Sequence, residues 1–118
     1  MNKHEDERGI IEDLKVGKDW SVTYISFKKG AVRGNHYHKD TAQFDIVING
    51  ILECATKGKF FKSRRDLYGH DTMWHWPGTK HAYKAKYDSE MISICFGKRI
   101  GENYEEDTYR LDEKEKLL

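Results

Sequence analysis

Proline is almost missing from this chain. Its 118 residues contain one, Pro77, where average usage of about 5% would supply about six. That scarcity excludes a proline-rich linker or polyproline arm. Cysteine is nearly as rare: Cys54 and Cys95 stand about forty residues apart in apolar surroundings. A small secreted scaffold held by disulfides carries more, so both read as reduced, buried thiols. Long apolar runs are missing too, since no stretch approaches the roughly 20 residues of a membrane span. Residues 1–8 lack the apolar centre of a signal peptide. An excess of one charge is also missing. Lys plus Arg number 21 and Asp plus Glu 20, for a formal net charge of +1, which supplies no global basic field for nucleic acid or anionic lipid. The expectation is a cytoplasmic protein with neither nucleic-acid nor membrane partners.

What is present is aromatic and strand-like. Charged residues make up 35% of the chain, yet five Phe, three Trp and seven Tyr are too many for a solvated coil. No internal repeat or linker divides the chain, so residues 1–118 form one domain with its core at about 10–100. Period-two segments at 21–27, 43–48, 51–56, 60–63, 71–76, 81–85 and 90–96 alternate with glycine-marked turns. Asn49-Gly50 favours a type I′ hairpin between two of them. Residues 1–9 read as a frayed polar end, with His4 in it. Residues 102–118 read as a charged tail, a last strand or arm through Tyr104, Thr108 and Leu111 followed by a short helix. Many short strands and no long helical stripe predict an all-β, antiparallel sandwich or barrel.

Two segments concentrate the chemistry. In Gly34-Asn35-His36-Tyr37-His38, an extended strand points His36 and His38 to one face about 6.6 Å apart, at roughly 3.3 Å per residue. Two such imidazoles can grip one ion at about 2.1 Å, or simply hydrogen-bond on a solvated strand. In Trp76-Pro77-Gly78-Thr79-Lys80-His81, proline fixes φ and glycine permits the turn that aims His81. His75, in Met73-Trp74-His75-Trp76, faces the pocket if Trp74 and Trp76 face outward, and solvent if they face inward. Tyr37 must point away from the histidines, into a sheet or subunit contact. Lys62, Arg64 and Arg65 form a basic run best read as a solvated loop, and His70 reads as a turn residue.

Taken together, these segments resemble the cupin superfamily. Its first motif runs G, five residues, H-x-H, three or four residues, E, six residues, G; here Gly30, His36, His38, Gln43 and Gly50 stand at those places. Its second runs G, five to seven residues, P-G, two residues, H; here stand Gly69, Pro77-Gly78 and His81. The resemblance covers about residues 20–100 and implies a cupin-type jelly roll. It also implies a divalent transition metal (Zn, Fe, Ni or Mn) on His36, His38, Gln43 and His81. A shorter likeness, through Arg33 to His38 and Asp107-Thr108-Tyr109, is to small cupins of nucleotide-sugar and capsular-polysaccharide metabolism.

The chain departs from the motif at one ligand. Gln43 replaces the family glutamate and binds through a neutral carbonyl oxygen. The site is thereby one charge more positive, which lowers metal affinity and makes a bound water more acidic; Asp40 or Asp45 would compensate. The favoured function is a metal-binding isomerase or epimerase of a sugar or nucleotide-sugar. His36, His38, His81 and His75 would be its catalytic groups, and Arg33 and Tyr83 would bind substrate. The alternatives are a non-haem metal-dependent dioxygenase and a non-catalytic metal- or ligand-binding module. The resemblance further implies a homodimer.

Overall fold

Short alternating segments bury one face each only by pairing into sheets whose inner faces meet. The computed structural model describes residues 2–97 and 106–118. Its strands are β1 (Lys3–Asp6), β2 (Gly9–Val16), β3 (Trp20–Phe27), β4 (Val32–Tyr37), β5 (Ala42–Asn49), β6 (Leu52–Lys57), β7 (Lys62–Leu67), β8 (Thr72–His75), β9 (Lys80–Ala85), β10 (Ser89–Phe96) and β11 (Tyr109–Arg110). They form a sheet of order β1-β2-β3-β10-β5-β8 and a second of order β11-β4-β9-β6-β7. Every pairing is antiparallel. The fold is the expected all-β jelly-roll sandwich.

The interior changes character along its length. One end is apolar, where Phe27, Val47, Leu52, Leu67 and Met91 are buried together. Each such side chain contributes roughly 1.5–3 kcal/mol on leaving water. At the other end the buried positions of the same strands are polar: Gln43 and Asp45 on β5, Ser93 on β10 and His75 on β8. There the outer face of the first sheet is apolar instead. Trp74 stacks on Trp76 at 5.0 Å and 8°, and its ring lies 4.6 Å from Phe44 and 6.3 Å from Phe96. A sandwich with polar residues turned inward at one end has built a lined cavity there, not a continuous core.

Four expectations are corrected. Asn49-Gly50 is no hairpin turn, because β5 and β6 lie in different sheets and the pair carries the crossover. Gly50 has φ +86° and sits so close to Ser89 that an added Cβ would lie 2.1 Å from its Oγ. Residues 3–9 are not frayed. Lys3 to Asp6 pair in register with Glu12 to Gly9, and the main-chain ladder forms without apolar alternation because this is an edge strand. The third correction is at 60–63: Phe60 and Phe61 stay exposed in a turn closed by Gly58 N–H to Phe61 C=O at 2.9 Å. The strand starts at Lys62 and takes in Arg64 and Arg65, which are not loop residues; charge on this edge strand discourages further pairing. Last, residues 112–118 form turns and no helix. Backbone bonds to Asn35 replace the helical ones there. Its Oδ1 accepts from the N–H of Leu117 at 2.7 Å and of Leu118 at 3.3 Å, and its Nδ2 donates to Leu118 C=O at 3.0 Å. The tail begins as foreseen: Tyr109 pairs with Tyr37 in β11 and Leu111 is buried; Tyr104 lies outside the described residues.

Candidate metal centre

Strand β4 is bent where the chemistry begins. Gly34 and Asn35 have φ of +91° and +56°, and the ladder to β9 shifts between Gly34 and His36. In a regular strand, residues three apart face opposite sides. The bulge cancels that rule here, so Arg33 and His36 both line one cavity. Position 34 has no room for a side chain, since a Cβ there would lie 2.9 Å from His81 C=O. His81 arrives from the other direction. Thr79 N–H donates to Trp76 C=O at 3.0 Å across Pro77-Gly78, with φ +88° at Gly78, as in a type II turn. Gly78 N–H also donates to His38 C=O at 2.6 Å, tying the turn to the histidine strand.

The three rings converge. Centroids lie 4.9 Å apart for His36 and His38, 4.7 Å for His36 and His81, and 5.2 Å for His38 and His81. Their ligand nitrogens are all within 4.8 Å of one another, a group able to hold a metal ion. Tautomers follow from the partners, since a carbonyl can only accept. His38 Nδ1–H donates to Asp107 C=O at 2.7 Å, and His81 Nδ1–H donates to Thr79 C=O at 3.1 Å. Both Nε2 atoms are thereby left as ligand lone pairs. His81 Nε2 is buried with no hydrogen-bond partner. Burial, then the neighbouring His75, His36 and His38, hold His81 well below the usual imidazole range. It is the neutral donor that a metal requires.

Gln43 completes the set from the facing sheet, and its orientation is fixed from behind. Its Nε2 donates to both oxygens of Asp45, at 3.0 and 2.9 Å, so its Oε1 must point the other way, 3.2 Å from His38 Nε2. Two acceptors facing each other in a buried site call for a cation between them. The residues therefore fit a metal, which His36, His38 and His81 would hold with the Gln43 carbonyl beside them. Asp45 also accepts from Tyr83 O–H at 2.5 Å and lies 3.1 Å from His75 Nε2, which in turn is 2.6 Å from the Tyr83 oxygen. Burial pushes the Asp45 carboxyl up, but His75 and Tyr83 outweigh it and hold the group below the usual carboxylate range. Tyr83 is pushed well above its usual range by burial and by Asp45.

The other expected site residues fall into place around this. His75 is turned inward, with its ring 4.2 Å from that of His81, while Trp74 and Trp76 face outward. It backs the site and does not line the cavity. Tyr83 lines the cavity with its hydroxyl committed to Asp45 and His75. Tyr37 points away and stacks on Tyr109 at 5.3 Å. Cys54 and Cys95 are free and buried, and burial raises the Cys54 thiol to about 12. His4, assigned from sequence to a frayed end, lines the cavity mouth.

Sequence reasoning missed two supports and one reactive group. Asp107 accepts from Lys39 N–H at 2.9 Å, Asp40 N–H at 2.8 Å and Thr41 O–H at 2.8 Å, fixing the loop after His38. Asn35 anchors the tail. Asp13 is buried on β2, accepts from Thr23 O–H at 2.9 Å and lines the cavity. Its signal was an acid at an inward strand position, masked by the neighbouring charges Glu12 and Lys15. The cavity has a volume of about 550 Å³, within the usual range of small-molecule sites.

No family model and no curated protein matches the sequence. Solved structures do match. The capsular polysaccharide assembling protein CapF of Staphylococcus aureus superposes with TM-score 0.75 at 20% identity, over 93% of this chain and 34% of CapF. A variant of Bacillus subtilis oxalate decarboxylase gives TM-score 0.81 at 19% identity, over 93% of this chain and 30% of that one. KdgF from Halomonas sp. gives TM-score 0.72 at 24% identity, over 84% of this chain and 90% of KdgF. The fold is that of the cupins. The chain spans about a third of CapF and of the decarboxylase but nearly the whole of KdgF. No helix among the described residues is long and apolar enough to cross a membrane.

Proposed function

We propose that this cupin is a metal-dependent enzyme that isomerises or epimerises a small oxygen-rich molecule of the sugar or nucleotide-sugar class. One observation carries the reading. Three imidazoles and the Gln43 carbonyl converge at the wall of a cavity that also presents a buried carboxylate, Asp13. A divalent ion held by His36, His38, His81 and Gln43 supplies Lewis acidity toward a carbonyl oxygen. Asp13, positioned by Thr23, takes the proton beside that carbonyl and returns it. In this reading His36, His38 and His81 serve as ligands, and His75 supports the His81 ring by stacking. Arg33 and the ring of Tyr83 form the wall against which substrate lies. The likeness to a capsular polysaccharide assembling protein supports a sugar. A dioxygenase with two histidines and an acid is less well supported: Asp45, the carboxylate beside Gln43, is already engaged by Gln43, Tyr83 and His75.

The reading includes a cytoplasmic homodimer. Free, buried thiols support the compartment. Outward-facing Trp74 and Trp76 at edge strand β8, with Phe96 of β10 6.3 Å from Trp74, support pairing; sedimentation showing a monomer at high concentration would contradict it. The activity is tested by incubating metal-analysed protein in deuterated water with a panel of keto sugars that includes neutral, acidic and nucleotide-linked members. Deuterium entering beside the ketone is expected, and its absence across the panel sinks the assignment.

A further inference from the structure

Arg33 is a buried cation that no carboxylate of the described residues pairs directly. The residue is 8% exposed. Its Nη2 donates to Ser26 C=O at 3.1 Å and its guanidinium carbon lies 5.3 Å from the centre of the Phe27 ring. Nε and Nη1 are buried and have no hydrogen-bond partner, and among the described residues no carboxylate forms an ion pair with this side chain. A charge removed from water without an opposite charge or full hydrogen bonding is costly. Burial, with Arg8 nearby, pushes the guanidinium below its usual range, against a weaker opposing pull from Asp6 and Glu7.

The surroundings show what the side chain is placed for. Arg33 lines the same cavity as His36, His81 and Gln43. Charges on the lining are mostly positive: Lys3, Arg8, Arg33 and Arg110 against Asp13. Of these cations only Arg33 is buried; Lys3 and Arg110 are exposed and Arg8 is half-buried against Asp6. The potential therefore draws anions inward, and the inner end has one fork-shaped donor. A planar carboxylate suits such a fork. The single deep cation, with the Asp13 carboxylate on the same lining, suits one negative charge better than two.

We propose that Arg33 is a carboxylate-binding residue, and that the substrate of this cavity is a small acid, an acidic sugar or similar hydroxy acid, whose carboxylate docks on Arg33. This deepens the proposed function and rests on it for the claim that the bound acid is the substrate, although the anion site stands on Arg33 alone.

The test is titration of the untreated protein with glucuronate, acetate, glucose, inorganic phosphate and UDP-glucose. It is followed by calorimetry and by the Arg33 Nε–H resonance, with metal content measured in parallel. Glucuronate is expected to bind and to shift that resonance, and glucose to bind at least ~10-fold more weakly. Arg33→Met and Arg33→Lys are each expected to lose at least ~10-fold in glucuronate affinity. Arg33→Met is further expected to raise the ligand-free melting temperature, because it removes an unpaired buried charge. Equal binding of glucose and glucuronate, full affinity in either variant, or no binding of either carboxylate overturns the proposal. Arg33-dependent binding of phosphate or UDP-glucose without glucuronate overturns it in favour of a phosphate site. Arg33-dependent glucuronate binding in protein that holds no metal upholds it while the metal reading fails; metal without carboxylate binding gives the reverse.

Discussion

The carbonyl of Asp107 accepts a hydrogen bond from His38 Nδ1 at 2.7 Å, while the carboxylate of the same residue holds the loop that follows His38. One residue thus fixes both the tautomer of His38 and the backbone that follows it. Burial pushes the Asp107 carboxyl up, but the N–H groups of Asp40 and Lys39 and the Thr41 hydroxyl outweigh it and keep the group ionised as an acceptor. Asp107→Ala is expected to lower stability by about 2–4 kcal/mol in urea melts, from lost charge-assisted hydrogen bonds. Metal should leave about 10-fold faster on chelator challenge, as is usual when the support of a ligand is loosened.

Gln43→Glu should have opposite effects with and without metal. A glutamate there loses both N–H donors to buried Asp45 and sets two carboxylates face to face. The metal-free variant is expected to be about 1–3 kcal/mol less stable. The metal-loaded variant should retain its ion longer, because the ligand then carries a charge. Paired melting curves, before and after chelation, check the crossing of the two effects.

Gly34 and Gly30 separate strain from collision. Both have positive φ, at +91° and +85°, but only at Gly34 would a Cβ strike the neighbouring strand. Gly30→Ala should cost about 1–2 kcal/mol in backbone strain and leave metal content unchanged. Gly34→Ala should cost more and also deplete metal, because it pushes β4 away from β9 between His36 and His81. Elemental analysis of the two purified variants decides.

Asp13→Asn keeps the shape of the side chain and its hydrogen bond from Thr23 but removes the proposed base. Proton exchange on an active keto sugar should fall by about 10²–10⁴, with metal content unchanged. Loss of metal along with exchange would move Asp13 into a structural role.

Asp6 carries the acid dependence of the first hairpin. Hydrogen bonds from Arg8, side chain and backbone, hold its carboxyl well below the usual range. A depressed native value stabilises the fold above the unfolded carboxylate range, and that contribution is lost as pH falls through the native value. The stability difference between wild type and Asp6→Asn should therefore be constant near neutrality and shrink in acid. A difference that grew on acidification would reverse the assignment.

Much of this site was legible because its residues carry their geometry in the chain. His36-Tyr37-His38 and Pro77-Gly78 with His81 state spacing and direction directly, and the alternation of 43–48 and 90–96 follows from one buried face per sheet. Three features were not legible, each for a different reason. Asn49-Gly50 has hairpin chemistry, but the same positive φ serves a crossover, and only tertiary pairing separates the two. The bulge at Gly34-Asn35 reverses strand parity, so Arg33 and His36 share a wall that regular alternation denies them. The hydrogen bonds of Asp107 and Asn35 join positions far apart in sequence, beyond any local pattern. The charged look of residues 106–118 concealed that they brace the centre.

That bracing sets an order of assembly. Ten of the described strands precede Asp107 along the chain, so both sheets are synthesised before the segment that holds His38. The support of His38 is completed by residues translated after every described strand but the shortest, and a released chain truncated before residue 106 would keep those ten strands yet leave His38 Nδ1 without its Asp107 carbonyl.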